Sequence, residues 1–268
     1  MKLIASRLFW FALLVSSAAG AASAADLPEI AKRGALRVLA VVIDEEPQFF
    51  SLKPGTPPGF DHEVLDGFAR LQRIRLEIVR IPSYDAVIPA LQKGRGDLIA
   101  GGFTASDSRK KLIAFSAEVF PTRNVVYSRK PHPIIKSVEE LKTARVGTYK
   151  GTEMAEAVLA AGVPSSALDD TIELGGFPAA LKAGKITAAV DGVEAALIAR
   201  LADPELQLGL FLGAPESLAY GVRKEDTKLL EALNAYVGNL RKTQTWSRLV
   251  VKYFGESAPE ILKRARGN

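Results

Sequence analysis

Cysteine is absent from this chain, and histidine, methionine and tryptophan occur only twice each. Without cysteine there is no disulfide, no thiol for a lipid anchor, no cysteine nucleophile and no thiolate metal site. His62 and His132 are too few for a multi-histidine zinc centre. No dense Lys/Arg block with interleaved aromatic residues occurs, which argues against nucleic acid as a partner. No phosphate-loop or dinucleotide fingerprint occurs either. Beyond the N-terminus no segment approaches the run of about 20 apolar residues that spans a bilayer. What remains is an ordinary globular composition: 268 residues, 48% hydrophobic and 24% charged. It has ample core for one large domain or two of about 120 residues.

The N-terminus has the make-up of a processing segment. Lys2 and Arg7 form a basic start, Leu8 to Val15 is apolar, and Ala22-Ser23-Ala24 fits a small-residue cleavage site. A signal peptide over residues 1–24 is expected, with a mature chain from Ala25 or Asp26 and release into the periplasm. Loss of Lys2 and Arg7 takes the formal charge from +5 to a mild +3. The basic tail, Lys263-Arg264-Ala265-Arg266, reads as a solvated helix end.

Further along, hydrophobic periodicity alternates between the two regular types. Leu36–Val42 reads as a strand, Asp61–Leu71 as a helix, Leu76–Ile81 as a strand, Tyr84–Lys93 as a helix and Asp97–Ala100 as a strand. The order recurs with a short strand at Arg145–Gly147, a helix over Thr152–Ala161, a strand at Thr171–Leu174 and a helix over Pro178–Ala183. A strand at Ile186–Val190 and a helix from Val193 to Leu201 follow, and a last helix runs from Leu229 to Leu240. Strand–helix–strand order implies parallel sheets in an α/β architecture. Ala90-Leu91-Gln92-Lys93-Gly94-Arg95 resembles Ala180-Leu181-Lys182-Ala183-Gly184-Lys185, so the chain reads as two related α/β lobes. Their equivalent strand ends, Gly101–Thr104 and Val190–Gly192, are where ligands of open α/β sheets bind.

The block from Gly101 to Lys111, Gly-Gly-Phe-Thr-Ala-Ser-Asp-Ser-Arg-Lys-Lys, is the most informative stretch. The glycines let backbone N–H groups approach a ligand. Thr104 or Ser106 is placed to cap a following helix. A helix N-terminus favours an anion. Arg109 in the first turn is unfavourably placed for a cation unless something holds it. A ligand carboxylate between the N–H groups and the guanidinium would do so. The alternative is an ordinary strand–turn–helix connection.

The order of motifs resembles the periplasmic solute-binding proteins of polar amino-acid uptake systems. The resemblance rests on Gly34-x-Leu36-Arg37-Val38, Pro58-Gly59-Phe60-Asp61, Tyr84-x4-Pro89-Ala90-Leu91, Gly94-x2-Asp97 and the Gly102–Lys111 block. It continues through Phe115-Ser116, Gly147-x3-Gly151-Thr152, Tyr220-Gly221-Val222 and Lys252-Tyr253-Phe254-Gly255. It implies a two-lobed fold of the type II class, with the ligand cleft between lobes joined by two hinge strands near Arg123–Tyr127 and Leu218–Val222. The first lobe would take residues 25–123 and, on return, 220–268; the second would take 124–219. It further implies a carboxylate site on Arg109, assisted by Gly101, Gly102, Thr104 and the Gly151-Thr152 turn.

Tyr84 would pack on the ligand side chain; otherwise it is a core tyrosine. Asp191 stands seven residues after Gly184, one short of the family's spacing. It reads either as the partner of a ligand ammonium or as a helix N-cap. Glu46 replaces an aromatic of the family pattern, and reads either as a solvated loop residue or as a carboxylate that selects a cationic ligand. The resemblance implies no catalytic residue, cofactor or metal. It implies a monomer that hands a small carboxylate-bearing solute, foremost an amino acid, to an ABC-transporter permease. Two alternatives stay open. Periplasmic cyclohexadienyl dehydratases share the fold and carry an acid close to the Gly-Thr turn, where Glu153 stands one position early, and an Asp-x-x-Glu-Ala segment like Asp191–Ala195. A ligand-sensing lobe for a signalling partner would also look like this.

Overall fold

The computed structural model describes residues 26–42, 48–150, 152–173 and 175–267. The expected signal peptide, Glu46 and Gly151 therefore lie outside the described residues.

The first half runs α1 (Leu27–Arg33), β1 (Ala35–Ala40), α2 (Phe60–Leu71), β2 (Arg75–Arg80), α3 (Tyr84–Gln92), β3 (Leu98–Ile99), α4 (Asp107–Lys110) and β4 (Ala114–Phe115). Then follow β5 (Phe120–Arg129), α5 (Val138–Lys142), β6 (Val146–Gly147), α6 (Glu153–Ala160), β7 (Leu168–Asp169), α7 (Phe177–Lys182), β8 (Ala188–Gly192), α8 (Val193–Ala202) and β9 (Leu206–Leu218). The chain closes with β10 (Gly221–Val222), α9 (Thr227–Leu240), α10 (Gln244–Phe254) and α11 (Ala258–Ala265).

The strands form two five-stranded sheets, in the orders β2-β1-β3-β10-β4 and β7-β6-β8-β5-β9. Each has three parallel strands, with the earliest in sequence at the centre, continued by an antiparallel pair. The parallel triplets are what the strand–helix–strand order called for. The internal repeat has a geometric basis. After α3, Gly94 N–H bonds to Leu91 O and Arg95 N–H to Ala90 O; after α7, Gly184 N–H bonds to Leu181 O and Lys185 N–H to Ala180 O. Both glycines sit at positive φ, 70° and 68°, the left-handed helix stop that glycine adopts without a Cβ clash.

One expected strand is displaced. Thr171–Leu174 is not a strand over its described residues; the edge strand is β7, paired with β6 at Val146 and Leu168. Asp169 ends it locally. Its carboxylate accepts the Thr171 N–H at 3.1 Å and the Thr171 hydroxyl at 2.7 Å, a side-chain turn that outcompetes the β propensity of Thr-Ile.

The chain crosses between sheets twice, along antiparallel segments. Ser116 N–H bonds to Tyr220 O, Val119 N–H to Leu218 O, and Phe120 pairs with Leu218. Phe120 is buried there among Phe60 and Phe254, at centroid separations of 5.7 and 4.6 Å. The last helix packs on α8 and β5 of the second sheet. Its basic end is more than a solvated tail, since Arg264 donates to Gly209 O and Arg266 pairs with Glu118.

Candidate functional site

The strand ends of the two sheets open on one cavity of about 490 Å³. Tyr84, Gly101, Gly102, Thr104 and Arg109 line it from the first sheet, and Thr152 and Asp191 from the second. These are the predicted residues, brought together from positions more than 100 apart in sequence. Of Glu153 only the backbone position is described, as the first residue of α6.

The mouth of the first sheet is built around Arg109. Its side chain lies over the buried Phe103 ring, 4.0 Å from the centroid, and donates to Thr104 O at 2.9 Å. The protein therefore supplies its own hold on the cation, through a cation–π contact and a backbone acceptor. The expectation that a helix dipole would draw an anion here needs correction. Ser106 is the N-cap position, but α4 is a single turn of four residues, too short to align many peptide dipoles. The segment is instead stitched to the second crossing strand: Ala105 N–H bonds to Ser217 O, Ala219 N–H to Phe103 O, and Thr104 bridges Leu218.

Gly101 and Gly102 have φ of 95° and 68°. Their N–H groups do not face the cavity. Both donate to Asp61, Gly101 at 2.8 Å and Gly102 at 3.3 Å, so the anticipated N–H cradle for an anion is turned backward. Asp61 is buried and also accepts the Tyr220 hydroxyl at 3.0 Å. Burial pushes its pKa up to about 6, against the pull of these three donors. Pro58-Gly59-Phe60-Asp61 and Tyr220-Gly221-Val222 were visible as motifs, yet nothing in the sequence indicated that their Asp and Tyr meet behind the glycine turn.

Tyr84 is 38% exposed, opens α3 and lines the cavity; it is not a core tyrosine. Asp191 is not the cap of α8 either. The N-cap is Gly192, without a side-chain bond, and Asp191 belongs to β8. Its Oδ1 accepts the neighbouring Gly192 N–H at 2.8 Å, and it too faces the cavity. Thr152 caps α6, accepting the Ala155 N–H and donating to Tyr149 O.

Several cavity residues were not anticipated as ligand contacts. Phe49 and Phe50 line it on one side, with Tyr149 and Met154 on the other. Tyr149 stacks on Phe177 at 4.2 Å. Glu194, in the first turn of α8, adds a second carboxylate, bonded by the Thr122 hydroxyl of the crossing strand. A larger groove of about 910 Å³ lies on the outer side of α4. Most of its charged groups are paired: Lys110 with Asp107, Glu118 with Arg241 and Arg266, and Lys224 with Lys111 O. The smaller cavity, with one guanidinium and two carboxylates on facing lobes and aromatic walls, is the one suited to a small polar solute.

A cleft between two α/β lobes, reached by two crossing strands and lined by opposite charges, defines a two-lobed binding protein of the type II periplasmic class. Residues 38–256 match the model of the bacterial extracellular solute-binding proteins, family 3, and the chain belongs to that family. It is 27% identical to the lysine/arginine/ornithine-binding periplasmic protein of Escherichia coli (strain K12), over 90% of this chain and 94% of that one. Among solved structures it resembles a P235GK mutant of ArgBP from T. maritima, with TM-score 0.68 and 29% identity over 86% of this chain and 99% of that one. It also resembles AncCDT-1, an ancestral amino acid-binding protein and precursor of cyclohexadienyl dehydratase, with TM-score 0.70 and 28% identity over 85% and 99%. Binding of a small solute in the cleft is the function these relations support.

Proposed function

We propose that the protein captures an α-amino acid with a cationic side chain in the periplasm, by closure of its lobes, and presents the closed form to an ABC-transporter permease. The observation that carries this is the placement of Arg109 and Thr104 on one wall of the cavity and Asp191 and Thr152 on the other. Arg109 and the Thr104 hydroxyl would hold the α-carboxylate, and Asp191 the α-ammonium. An α-amino acid then bridges the lobes with its own two charges, which is differential affinity for the closed state and the only means by which a ligand shifts such an equilibrium. Tyr84 and the phenylalanines would flank the side chain. Glu194 leaves the cleft with an excess of negative charge, which favours a second cationic group, and the relatives include proteins that bind arginine, lysine and ornithine. The lobes would divide as residues 25–123 with 220–268, and 124–219.

No catalytic residue is part of this role. The dehydratase alternative draws on Glu194 beside Asp191 in the cavity and on the likeness to a dehydratase precursor. Thermal unfolding of ligand-stripped mature protein against amino acids, amine-free carboxylates and prephenate separates the readings. A ligand at about a thousand times its Kd adds roughly 4 kcal/mol, and each kcal/mol moves Tm by about 2–4 °C at this size. Shifts with arginine, lysine or ornithine are expected. Turnover of prephenate to phenylpyruvate would establish the enzyme instead.

A further inference from the structure

The wall behind Gly101 and Gly102 holds a carboxylate that the binding role above leaves unused. Asp61 is the second residue of α2, only 4% exposed, and does not line the cavity. Its Oδ2 receives both glycine N–H groups and its Oδ1 receives the Tyr220 hydroxyl. In a planar trans peptide the N–H and C=O point to opposite sides. The peptide joining Gly101 to Gly102 sends its N–H back to Asp61, so its carbonyl, that of Gly101, points forward. The Tyr84 hydroxyl, on the cavity side, reaches that oxygen at 3.4 Å. Two consecutive residues at positive φ give the turn this form, and glycine adopts it without the Cβ clash other residues meet.

We propose that Asp61 is a positioning residue that sets the polarity of the first-lobe wall: by taking the two glycine N–H groups from behind, it makes the turn an acceptor for the ligand's ammonium rather than a cradle for its carboxylate. The carboxylate is left to Arg109 and Thr104, and the two ends of an α-amino acid are told apart on a single wall. The same carboxylate ties the turn, through Tyr220, to the second crossing segment. This inference rests on the amino-acid reading for its ligand and on the hydrogen bonds alone for its geometry.

The test has a ligand-free and a ligand-bound arm. In Asp61→Asn the side chain keeps its shape but offers one NH2 donor toward groups that are all donors. Hydrogen exchange of ¹⁵N-labelled, ligand-free protein should show the Gly101 and Gly102 amides protected in the wild type. At least one should exchange about ten-fold faster in the variant, while amides of β1 and β8 keep their rates. Calorimetry with L-arginine and with 5-guanidinopentanoate, arginine without its α-ammonium, gives the second readout. The variant should lose about ten-fold for arginine and less than about three-fold for the analogue. Tyr220→Phe, which removes one donor and keeps the ring, should move both readouts in the same direction by less. Equal loss for both ligands would make Asp61 merely structural and overturn the proposal, as would unchanged exchange. A wild type with protected glycine amides that binds no amino acid would reject the amino-acid reading while supporting the geometry, since the exchange arm stands without a ligand.

Discussion

The two lobes carry the same local device to opposite ends. In each, a helix stops at a left-handed glycine, Gly94 or Gly184, and a parallel strand follows to the mouth of the cleft. Beyond that point they diverge. After β3 the chain makes a glycine turn, runs along the crossing strand and only then forms the single turn that carries Arg109. After β8 the helix α8 begins at once, with Asp191 on the last residues of the strand and Glu194 in its first turn. One mouth offers a cation, the other two carboxylates. Facing mouths with opposite charges suit a ligand that carries both charges, and a cleft that closes on it.

The largest effect should come from removing the single cation of that pairing. Arg109→Ala should weaken amino-acid binding by about three orders of magnitude, roughly 4 kcal/mol, since truncating one member of a desolvated charge pair leaves the other unpaired. Calorimetry measures the loss, and the ligand-free Tm should stay close to that of the wild type. Retained affinity would break the comparison at its first term.

The next effect is on stability. Burial lifts the pKa of both Asp61 and Asp226 to about 6, each against its own partners. A carboxyl whose folded pKa lies above its ordinary 3.8 binds its proton more tightly in the folded state. Its contribution is fully present below that value and is lost as pH rises through about 6. Asp61→Asn should flatten the decline of stability between about pH 4 and 7, by about 3 kcal/mol for a shift of about two units. Urea unfolding across that range tests it, and an unchanged slope would assign the dependence elsewhere.

Asp191→Asn should lower amino-acid affinity by about two orders of magnitude, yet leave a deaminated analogue nearly unaffected. Equal losses would mean that Asp191 shapes the lobe without meeting an ammonium.

Smaller still is the contrast between the glycines at the two mouths. A Cβ on Gly102 would sit in the left-handed region and 2.9 Å from the Phe49 ring, whereas Gly192 has φ −58° and the atoms nearest its Cβ would be those of the Glu194 carboxylate. Gly102→Ala should destabilise by about 2 kcal/mol through strain and displaced packing. Gly192→Ala should cost about 1 kcal/mol, because the Glu194 carboxylate must shift against its bond from the Thr122 hydroxyl. Differential scanning calorimetry of the pair measures the difference.

How much of this was legible beforehand follows from sequence distance. The α/β order, apart from the strand expected from Thr171, and the repeat around Gly94 and Gly184 are local patterns, and they appear as read. Asp61 was not legible as part of the site because its donors lie 40 and 159 positions away. The direction of the Gly101 and Gly102 N–H groups depends on that partner, so glycine-rich sequence alone pointed the wrong way. The strand expected from Thr171 failed over its described residues, Thr171 to Glu173, because one aspartate, Asp169, closed a turn first. Tyr149, Met154 and Glu194 join the cavity only once the second lobe faces the first, a relation that local periodicity does not encode.

The most direct measurement is a calorimetric titration of the ligand-stripped protein with L-arginine, agmatine and 5-guanidinopentanoate, which differ only in the carboxylate and the ammonium. If the two lobes divide a ligand's opposite charges between them, arginine binds and each analogue loses about a hundred-fold or more. If agmatine or the deaminated acid binds as tightly as arginine, one mouth of the cleft does not hold the charge assigned to it, and the pairing of Arg109 with Asp191 across the lobes is wrong.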